Sequence, residues 1–410
     1  MSLLLQLAVR NALRNQRRSG LTALMVALGV SMLTVAMAWI QGVLGGGLDG
    51  AVRNIGLVRV TAPDFVKREQ VLPIDANLAE SAPIEAALRA VPTVTAVYPR
   101  IQMGVTAGAG DTIGERFGLL SGAPTAWYVE QLRLPERLLE GEMLRDDKDV
   151  LLGRAIAEQL GVHAGDEVVL LGTTQDGSLS PAKLHVRGVV DMGGGQLGRQ
   201  MFVTLEQVRW MADIPDGATE LLVYGPSRSQ GSTLAAALRA RPETAALSVQ
   251  SWDERSPFDS MLSLMNTVQS VGAGVVVFIT ALGVLNTMMM SVLERTGEIG
   301  VLRALGLKRR EVAVLFVTEA AVISLIGGMA GALLGGAMAY YLEVVGVDLG
   351  TAIDKVNTPL PFDRVVHGDL TIAMLLGSVV LGLFMAIVGG LLPALRAATV
   401  QPVEAMRARR

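Results

Sequence analysis

Four stretches of this chain are apolar over lengths that a water-soluble core does not call for. Leu21–Leu44 and Val271–Leu293 carry no charge, Val312–Leu342 is interrupted only by Glu319, and Leu370–Leu395 has Pro393 near its end. Each satisfies the roughly 20 residues that a helix needs to cross a ~30 Å hydrocarbon core. A helix in a soluble protein keeps a polar face, and these segments have none. They are read as four transmembrane helices. Composition agrees: only 18% of residues are charged and 51% are hydrophobic, against about a quarter charged in ordinary soluble domains. The 46 glycines and 19 methionines suit closely packed membrane helices.

Orientation follows from the short flanks, where Lys and Arg stay cytoplasmic. Arg10, Arg14, Arg17 and Arg18 precede the first span. Arg295, Arg303, Lys308, Arg309 and Arg310 lie between the second and third, and Arg396, Arg407, Arg409 and Arg410 follow the fourth. Between the third and fourth, Glu343–Asp369 holds only Lys355 and Arg364 against five acids. Both termini are expected in the cytoplasm and the long segment after the first span outside. A signal peptide cleaved at Ala36-Met37-Ala38 is rejected, because the apolar run continues through Trp39, Ile40, Val43 and Leu44.

The expected fold is therefore a membrane α-helical protein of four transmembrane helices, with a mixed α/β extracytoplasmic domain inserted between the first and second. Residues 1–50 hold an interfacial amphipathic helix and the first span, 51–260 the domain, and 261–410 a stalk, the other spans, a connecting helix and a tail. The interfacial helix rests on an apolar stripe of Leu5, Ala8, Val9, Ala12 and Leu13 beside basic Arg10, Arg14, Arg17 and Arg18. In the domain, Leu57–Thr61, Glu167–Leu171 and Ala182–Val190 read as strands. Ile84–Val91, Arg154–Leu160, Leu205–Met211 and Thr233–Ala240 read as helices, with Gly161 a stop. Pro124–Gly141 is the candidate boundary between two subdomains. Asp259–Ser270, with Met261, Leu262, Met265 and Val268 at helical spacing, is expected to extend the second span outward as a stalk.

Several chemistries have no basis here. Gly-Lys never occurs, so there is no phosphate loop and no ATPase of the chain's own. Without cysteine there is no disulfide framework, cysteine–zinc site or lipid-modified cysteine. His163, His185 and His367 are far apart in sequence, and neither H-E-x-x-H nor G-x-S-x-G appears. Gly108-Ala109-Gly110 is read as a loop and Asp146-Asp147-Lys148-Asp149 as a solvated turn. A net charge of −3 gives no field for nucleic acid. No catalytic, cofactor or metal residue is assigned, and the chain is not expected to be an enzyme.

Three features suggest mechanism. Between the second and third spans, Ile299, Leu302 and Leu305 recur every three residues beside charged Glu298 and Arg303, and Gly306 supplies a stop. Such a short amphipathic helix either docks into a groove on a partner or lies on lipid, with Lys308, Arg309 and Arg310 on headgroups. Gly327, Gly331 and Gly335 recur at four-residue intervals in the third span, a spacing that admits another helix closely. Glu319 either is a buried intramembrane acid or reaches the cytoplasmic headgroups.

The run from Asn286 through Ser291-Val292-Leu293-Glu294-Arg295-Thr296-Gly297-Glu298-Ile299-Gly300-Val301-Leu302-Arg303-Ala304-Leu305-Gly306 resembles the signature of the FtsX-like permease family, which includes MacB-type exporters and lipoprotein-releasing (Lol) permeases. The tail Leu392–Ala398 with Gln401–Arg407, the N-terminal Leu7–Asn15 with Arg17-Arg18, and Val150–Val162 with Gly165–Val168 resemble further parts of that family. The resemblance implies a bacterial inner-membrane permease pairing with a second copy or paralogue and with cytoplasmic ABC ATPase subunits. ATP and Mg would be bound by the ATPase, and a periplasmic adaptor or chaperone is a further candidate partner. It makes Glu294–Leu305 the coupling helix, with Glu294, Arg295, Glu298, Ile299, Leu302, Arg303 and Leu305 as contact residues. The implied function is mechanotransmission that exports or extracts a periplasmic or outer-leaflet substrate, lipoprotein included. The alternatives are a regulator of a periplasmic wall hydrolase and a non-transport receptor or scaffold. Lol permeases usually carry an Asn-Gly-Phe-like element after the first span. Here Trp39-Ile40-Gln41-Gly42-Val43 stands there, followed by Gly45-Gly46-Gly47, read as flexible.

Overall fold

The computed structural model describes residues 10, 14, 16–110, 116–193, 197–348 and 365–400. The stripe Leu5, Ala8, Val9, Ala12 and Leu13, the cations Lys355, Arg364, Arg407, Arg409 and Arg410, and the motif Gln401–Arg407 lie outside them. The described chain divides into two units. One comprises residues up to Leu44, Ser263–Val347 and those from Val366 onward; the other is Gly45–Leu262 with Asp348 and Val365.

Among the described residues, four helices are long and apolar enough to cross a membrane, Gln16–Ile55, Phe258–Glu294, Arg309–Val345 and Ile372–Thr399; the first unit holds them apart from Gly45–Ile55 and Phe258–Leu262. The first three outrun their apolar stretches at both ends, whereas the fourth starts two residues inside its stretch, capped by Thr371, and outruns it only at its C-terminal end. Asp259–Ser270 is continuous with the second of them, with Met261, Leu262 and Met265 half-buried and Val268 exposed. Pro393, expected near the helix end, sits inside the fourth.

Small residues set the packing. A Cβ on Gly327 would lie 2.5 Å from the Ala23 carbonyl oxygen, one on Gly331 2.4 Å from that of Ala27, and one on Gly335 2.8 Å from Ser31 backbone atoms. The four-residue glycine ladder of the third helix thus faces a matching ladder of small residues on the first. Gly29 meets Thr280 on the second helix, Gly389 meets the Ala281 carbonyl, and Gly336 meets Leu375 on the fourth. Thr34 donates to Ser378 at 3.0 Å and Thr22 to Thr287 at 3.0 Å, both buried. The two hydroxyl pairs satisfy polar groups that lipid cannot.

The second unit is built on one ten-stranded sheet. Its strands are β1 (Val58–Thr61), β2 (Ala96–Ala109), β3 (Arg116–Ala123), β4 (Leu138–Gly141), β5 (Asp149–Gly153), β6 (Glu167–Thr173), β7 (Leu179–Val190), β8 (Gln200–Thr204), β9 (Glu220–Tyr224) and β10 (Ser248–Ser251). The order is β10-β1-β9-β2-β3-β8-β5-β7-β4, with β6 pairing β2 and β7. Pairing is mostly antiparallel, the exceptions being β3 with β8 and β5 with β7. Successive side chains enter opposite cores: Val150 and Leu152 join one with Ile101, Leu120 and Val203, while Leu151 joins the other with Trp127, Tyr128 and Phe202.

Three expectations change here. Pro124–Gly141 does not divide the domain, since Trp127, Tyr128 and Leu134 lie in a core shared with Phe202 and Leu222. The change of partners falls inside β2, whose residues 96–100 pair with β9 and 101–107 with β3. Gly108-Ala109 is not a loop but the end of β2, opposite Val169 and Val168. Gly45-Gly46-Gly47 is helical within Gln16–Ile55. Each glycine there costs about 1 kcal/mol against Ala, and anchoring of the helix end by the domain offsets that cost.

Candidate functional site

Between the second and third long helices, Thr296–Ala304 forms a short helix, and Gly306 at φ +104° turns the chain back. Ile299, Leu302 and Leu305 were expected on one exposed face, and the structure separates them. Ile299 is 2% exposed and packs among Val312, Phe316, Ala394 and Ala397. Leu302 is half-buried, and Leu305 is 77% exposed. A step of three residues falls about 60° short of a full turn, so two such steps swing the side chain about 120° around the axis. The apolar surface that faces outward is Val301, Ala304 and Leu305, with Lys308, Arg309 and Arg310 exposed beyond it.

Charged side chains hold this helix in place. Arg303 Nη1 donates to the carbonyls of Ala398 at 3.2 Å and Val400 at 2.7 Å, occupying acceptors that the end of the fourth helix leaves open. Glu298 accepts from Arg14 at 2.5 Å and from Arg295 Nε at 3.2 Å. Burial pushes the Glu298 carboxyl up, but hydrogen bonds from Arg14 and Arg295 outweigh it and hold the group below the usual carboxylate range. Glu294 pairs with Arg18. These pairs are screened by water and contribute little to stability.

Glu319 is 4% exposed and does not reach outward. Both its oxygens accept from Arg295 Nη1, at 3.2 and 3.1 Å, and the Arg295 guanidinium lies 5.7 Å over the Phe316 ring. Removing one partner of such a buried pair costs about 3–5 kcal/mol. Gly327, Gly331 and Gly335, in the same helix, face the first helix of their own chain.

Sequence reasoning missed a second ionic cluster, inside the α/β unit. Glu220 on β9 stands opposite Arg100 on β2, which donates Nε to its carboxylate at 2.9 Å. Arg59 Nη1 lies 3.9 Å from Glu220, and the Arg59 guanidinium donates twice to Glu69, from Nη1 at 2.5 Å and from Nη2 at 2.8 Å. Arg255 lies 3.7 Å from Glu69. The same groups seize the end of the first long helix. Arg100 donates to the Asn54 carbonyl at 2.6 Å, Arg255 to that of Ile55 at 2.8 Å, and the Tyr224 hydroxyl to that of Arg53 at 2.7 Å. Burial, then neighbouring Arg59, pulls the Arg255 guanidinium down to about 9. Burial would raise the Glu220 carboxyl, but Arg100, Arg59 and Arg255 together hold it below its ordinary value. The available signal was a cation inside a wholly buried strand, Val58-Arg59-Val60.

The turn expected over Asp146–Asp149 covers only Asp146–Lys148; Asp149 is the buried first residue of β5 and accepts from the Arg145 N–H at 2.8 Å. Among the described residues, no three His, Cys, Asp or Glu side chains converge to hold a metal.

Residues 270–402 match the model of the FtsX-like permease C-terminal segment, and residues 19–252 match the MacB-like periplasmic core domain. The chain is 38% identical over 125 residues to an uncharacterized ABC transporter permease, YvrN, of Bacillus subtilis, covering 30% of this chain and 26% of that one. It is 27% identical over 270 residues to the lipoprotein-releasing system transmembrane protein LolC of Xylella fastidiosa, covering 63% and 64%. The macrolide export ATP-binding/permease protein MacB of Nitrobacter winogradskyi is 35% identical over 156 residues, covering 38% and 20%. The matched region is thus less than two thirds of each relative's own length. The crystal structure of the periplasmic region of MacB from Actinobacillus actinomycetemcomitans aligns with a TM-score of 0.36 at 12% identity, over 52% of this chain and 95% of that one. With one family model covering more than half of its length and a second covering most of the remainder, the chain belongs to the FtsX-like permeases that carry a MacB-like periplasmic core domain.

Proposed function

We propose that this chain is the permease subunit of an ABC transporter in a bacterial inner membrane, with both termini cytoplasmic. It couples ATP hydrolysis on a separate cytoplasmic ATPase, which binds ATP and Mg, to export or extraction of a substrate from the periplasm or the outer leaflet. A second copy or a paralogue completes the membrane assembly, and a periplasmic adaptor or chaperone receives the substrate. Lipoprotein is the substrate class we favour. The lipoprotein-releasing LolC relative aligns over 63% of this chain, against 38% for the macrolide-exporting MacB.

The observation that carries the reading is the connecting helix Thr296–Ala304. It is fixed to the fourth helix through Arg303 and buries Ile299, while turning Val301 and Leu305 outward beside three exposed cations. An exposed apolar i, i+4 pair on a rigidly held helix suits docking into a partner's groove. The test is Leu305→Asp. Burying one leucine stabilises an interface by about 1.5–3 kcal/mol, so its replacement lowers affinity for the ATPase roughly ten- to a hundredfold. The variant is expected at wild-type abundance in the membrane but without ATPase in pull-down. Full ATPase recovery with substrate-stimulated hydrolysis intact refutes docking at this face.

A further inference from the structure

We infer that Arg295 and Glu319 form a pin that fixes the angle of the connecting helix against the third long helix, making both positioning residues for coupling. The inference rests on the coupling reading above and adds what keeps the docking helix from swinging freely.

Arg295 is the single residue between the helices that end at Glu294 and begin at Thr296, and its backbone, at φ −100° and ψ 13°, leaves the helical region. A one-residue break in helical geometry is a natural hinge, and a hinge absorbs a push instead of passing it on. The side chain at this break ties three elements together. Its guanidinium contacts both oxygens of Glu319, the Glu298 carboxylate in the first turn of the short helix, and the Phe316 ring in the third long helix. A planar fork that bonds and stacks at once fixes direction as well as distance. The other ion pairs here, Arg14 with Glu298 and Arg18 with Glu294, involve glutamates 44% exposed, whereas the Glu319 side chain is 5% exposed. Water loosens the former more than the latter, so among these ion pairs it is Arg295 with Glu319 that fixes the short helix against the third long helix, while Arg303 and Ile299 hold it to the fourth. An intramembrane carboxylate is costly, and among the described residues the hydrogen bonds to Glu319 come from Arg295.

The test separates position from docking. The chain has no cysteine, so spin labels can be placed at Leu305→Cys on the exposed turn and Val314→Cys on the exposed face of the third helix. The distance distribution is then measured on the full chain in lipid nanodiscs. The parent is expected to give a narrow distribution. Glu319→Gln, which keeps the shape but not the charge, and Arg295→Gln are each expected to broaden it. The double variant is expected to be no broader than either single, because all three break the same contact. Should Glu319→Gln not accumulate, Arg295→Lys makes the same test, keeping the charge but losing the fork and the stacking. In the unlabelled chain, where Leu305 is unchanged, the ATPase still copurifies with Glu319→Gln and Arg295→Gln, while substrate-stimulated hydrolysis falls about tenfold, within the usual range of coupling between sites. A distribution as narrow as the parent's in the single variants overturns the pin, whatever the ATPase does. A broadened distribution with unchanged stimulation overturns its role in coupling. Failure of the docking reading itself shows instead as ATPase retained by Leu305→Asp.

Discussion

Gly331→Ala is expected to destabilise the helix bundle even though alanine is the better helix former. The added Cβ would sit 2.4 Å from the Ala27 carbonyl oxygen, 2.9 Å from the Ala27 Cα and 2.9 Å from the Val30 Cβ, where ordinary contact is 3.4–4 Å. Two of these atoms are backbone, so no rotamer change relieves the overlap and the helices must separate by about 1 Å, the shortfall from ordinary contact. Separation there also opens the contacts at Gly327 and Gly335, four residues to either side. Overpacking of this kind costs about 1–3 kcal/mol, against a gain of about 1 kcal/mol for replacing glycine in a helix, so the net sign is unfavourable. Gly272 and Gly377 also lie in long apolar helices, but nothing approaches a Cβ placed on either within 4 Å. Their alanine variants keep the propensity gain without the clash and are expected to be neutral or stabilised. The assay is thermal unfolding of the purified full chain in detergent, comparing Gly331→Ala with Gly272→Ala. An unfolding temperature for Gly331→Ala at or above that of Gly272→Ala refutes the packing of the first helix against the third.

Glu220→Gln leaves Arg59, Arg100 and Arg255 without their shared carboxylate, and breaking such a buried cluster is expected to cost about 3–5 kcal/mol. Because the folded-state value of Glu220 is depressed, its stabilisation is fully present above its ordinary value of 4.5 and is lost as pH falls through the folded value. The wild-type chain should therefore lose more stability on acidification below about 4.5 than Glu220→Gln, in denaturant titrations followed by tryptophan fluorescence. Equal losses refute the assignment. For orientation, single cysteines at Ser19 and Lys308 should be protected from an impermeant thiol reagent in spheroplasts, while one at exposed Gly177 reacts. Labelling of Lys308→Cys from outside refutes the four-span arrangement.

How far the fold could be read from the residues depended on whether one local signal fixed each element. The helix Arg154–Leu160 was legible to the residue, because Gly161 at φ +67° takes the left-handed conformation that ends it. Strand β7 was legible from Ala182 onward, where exposed and buried residues alternate through Val186, but its start at Leu179 was not. Strand β2 was not. Its first half holds a run of consecutive buried residues, it contains Pro99, Gly104 and Gly108, and it exchanges one neighbour for another at Ile101. None of that leaves a period, and strand preference depends on context that only the folded sheet supplies. Leu57–Thr61 showed the edge of the same difficulty: the strand was recognisable, but the purpose of Arg59 inside it was not, since Glu69, Gln250 and Glu220 meet it only after folding.

The connecting helix shows where a periodic signal stops being sufficient. Apolar residues at every third position do mark a helix here, and the helix exists. They do not say which part of the apolar surface is covered, because a helix pinned between spans has an inner side as well as an outer one. Ile299 answers to the bundle, through Val312, Phe316 and Ala397, and Leu305 answers to whatever lies beyond it. The ions carry the information that the apolar residues lack. Glu319 is 24 residues from Arg295, and Arg14 is 284 from Glu298, so neither pairing has a local signature, and Glu319 alone reads equally as a buried acid or as one reaching the headgroups. Joined, they define which way the helix faces. The orientation of the face offered to a partner is thus set by the buried Arg295–Glu319 pair together with Ile299, and the apolar repeat alone does not show it. A substitution at Glu319, which touches no exposed surface, should disturb coupling while leaving partner binding intact.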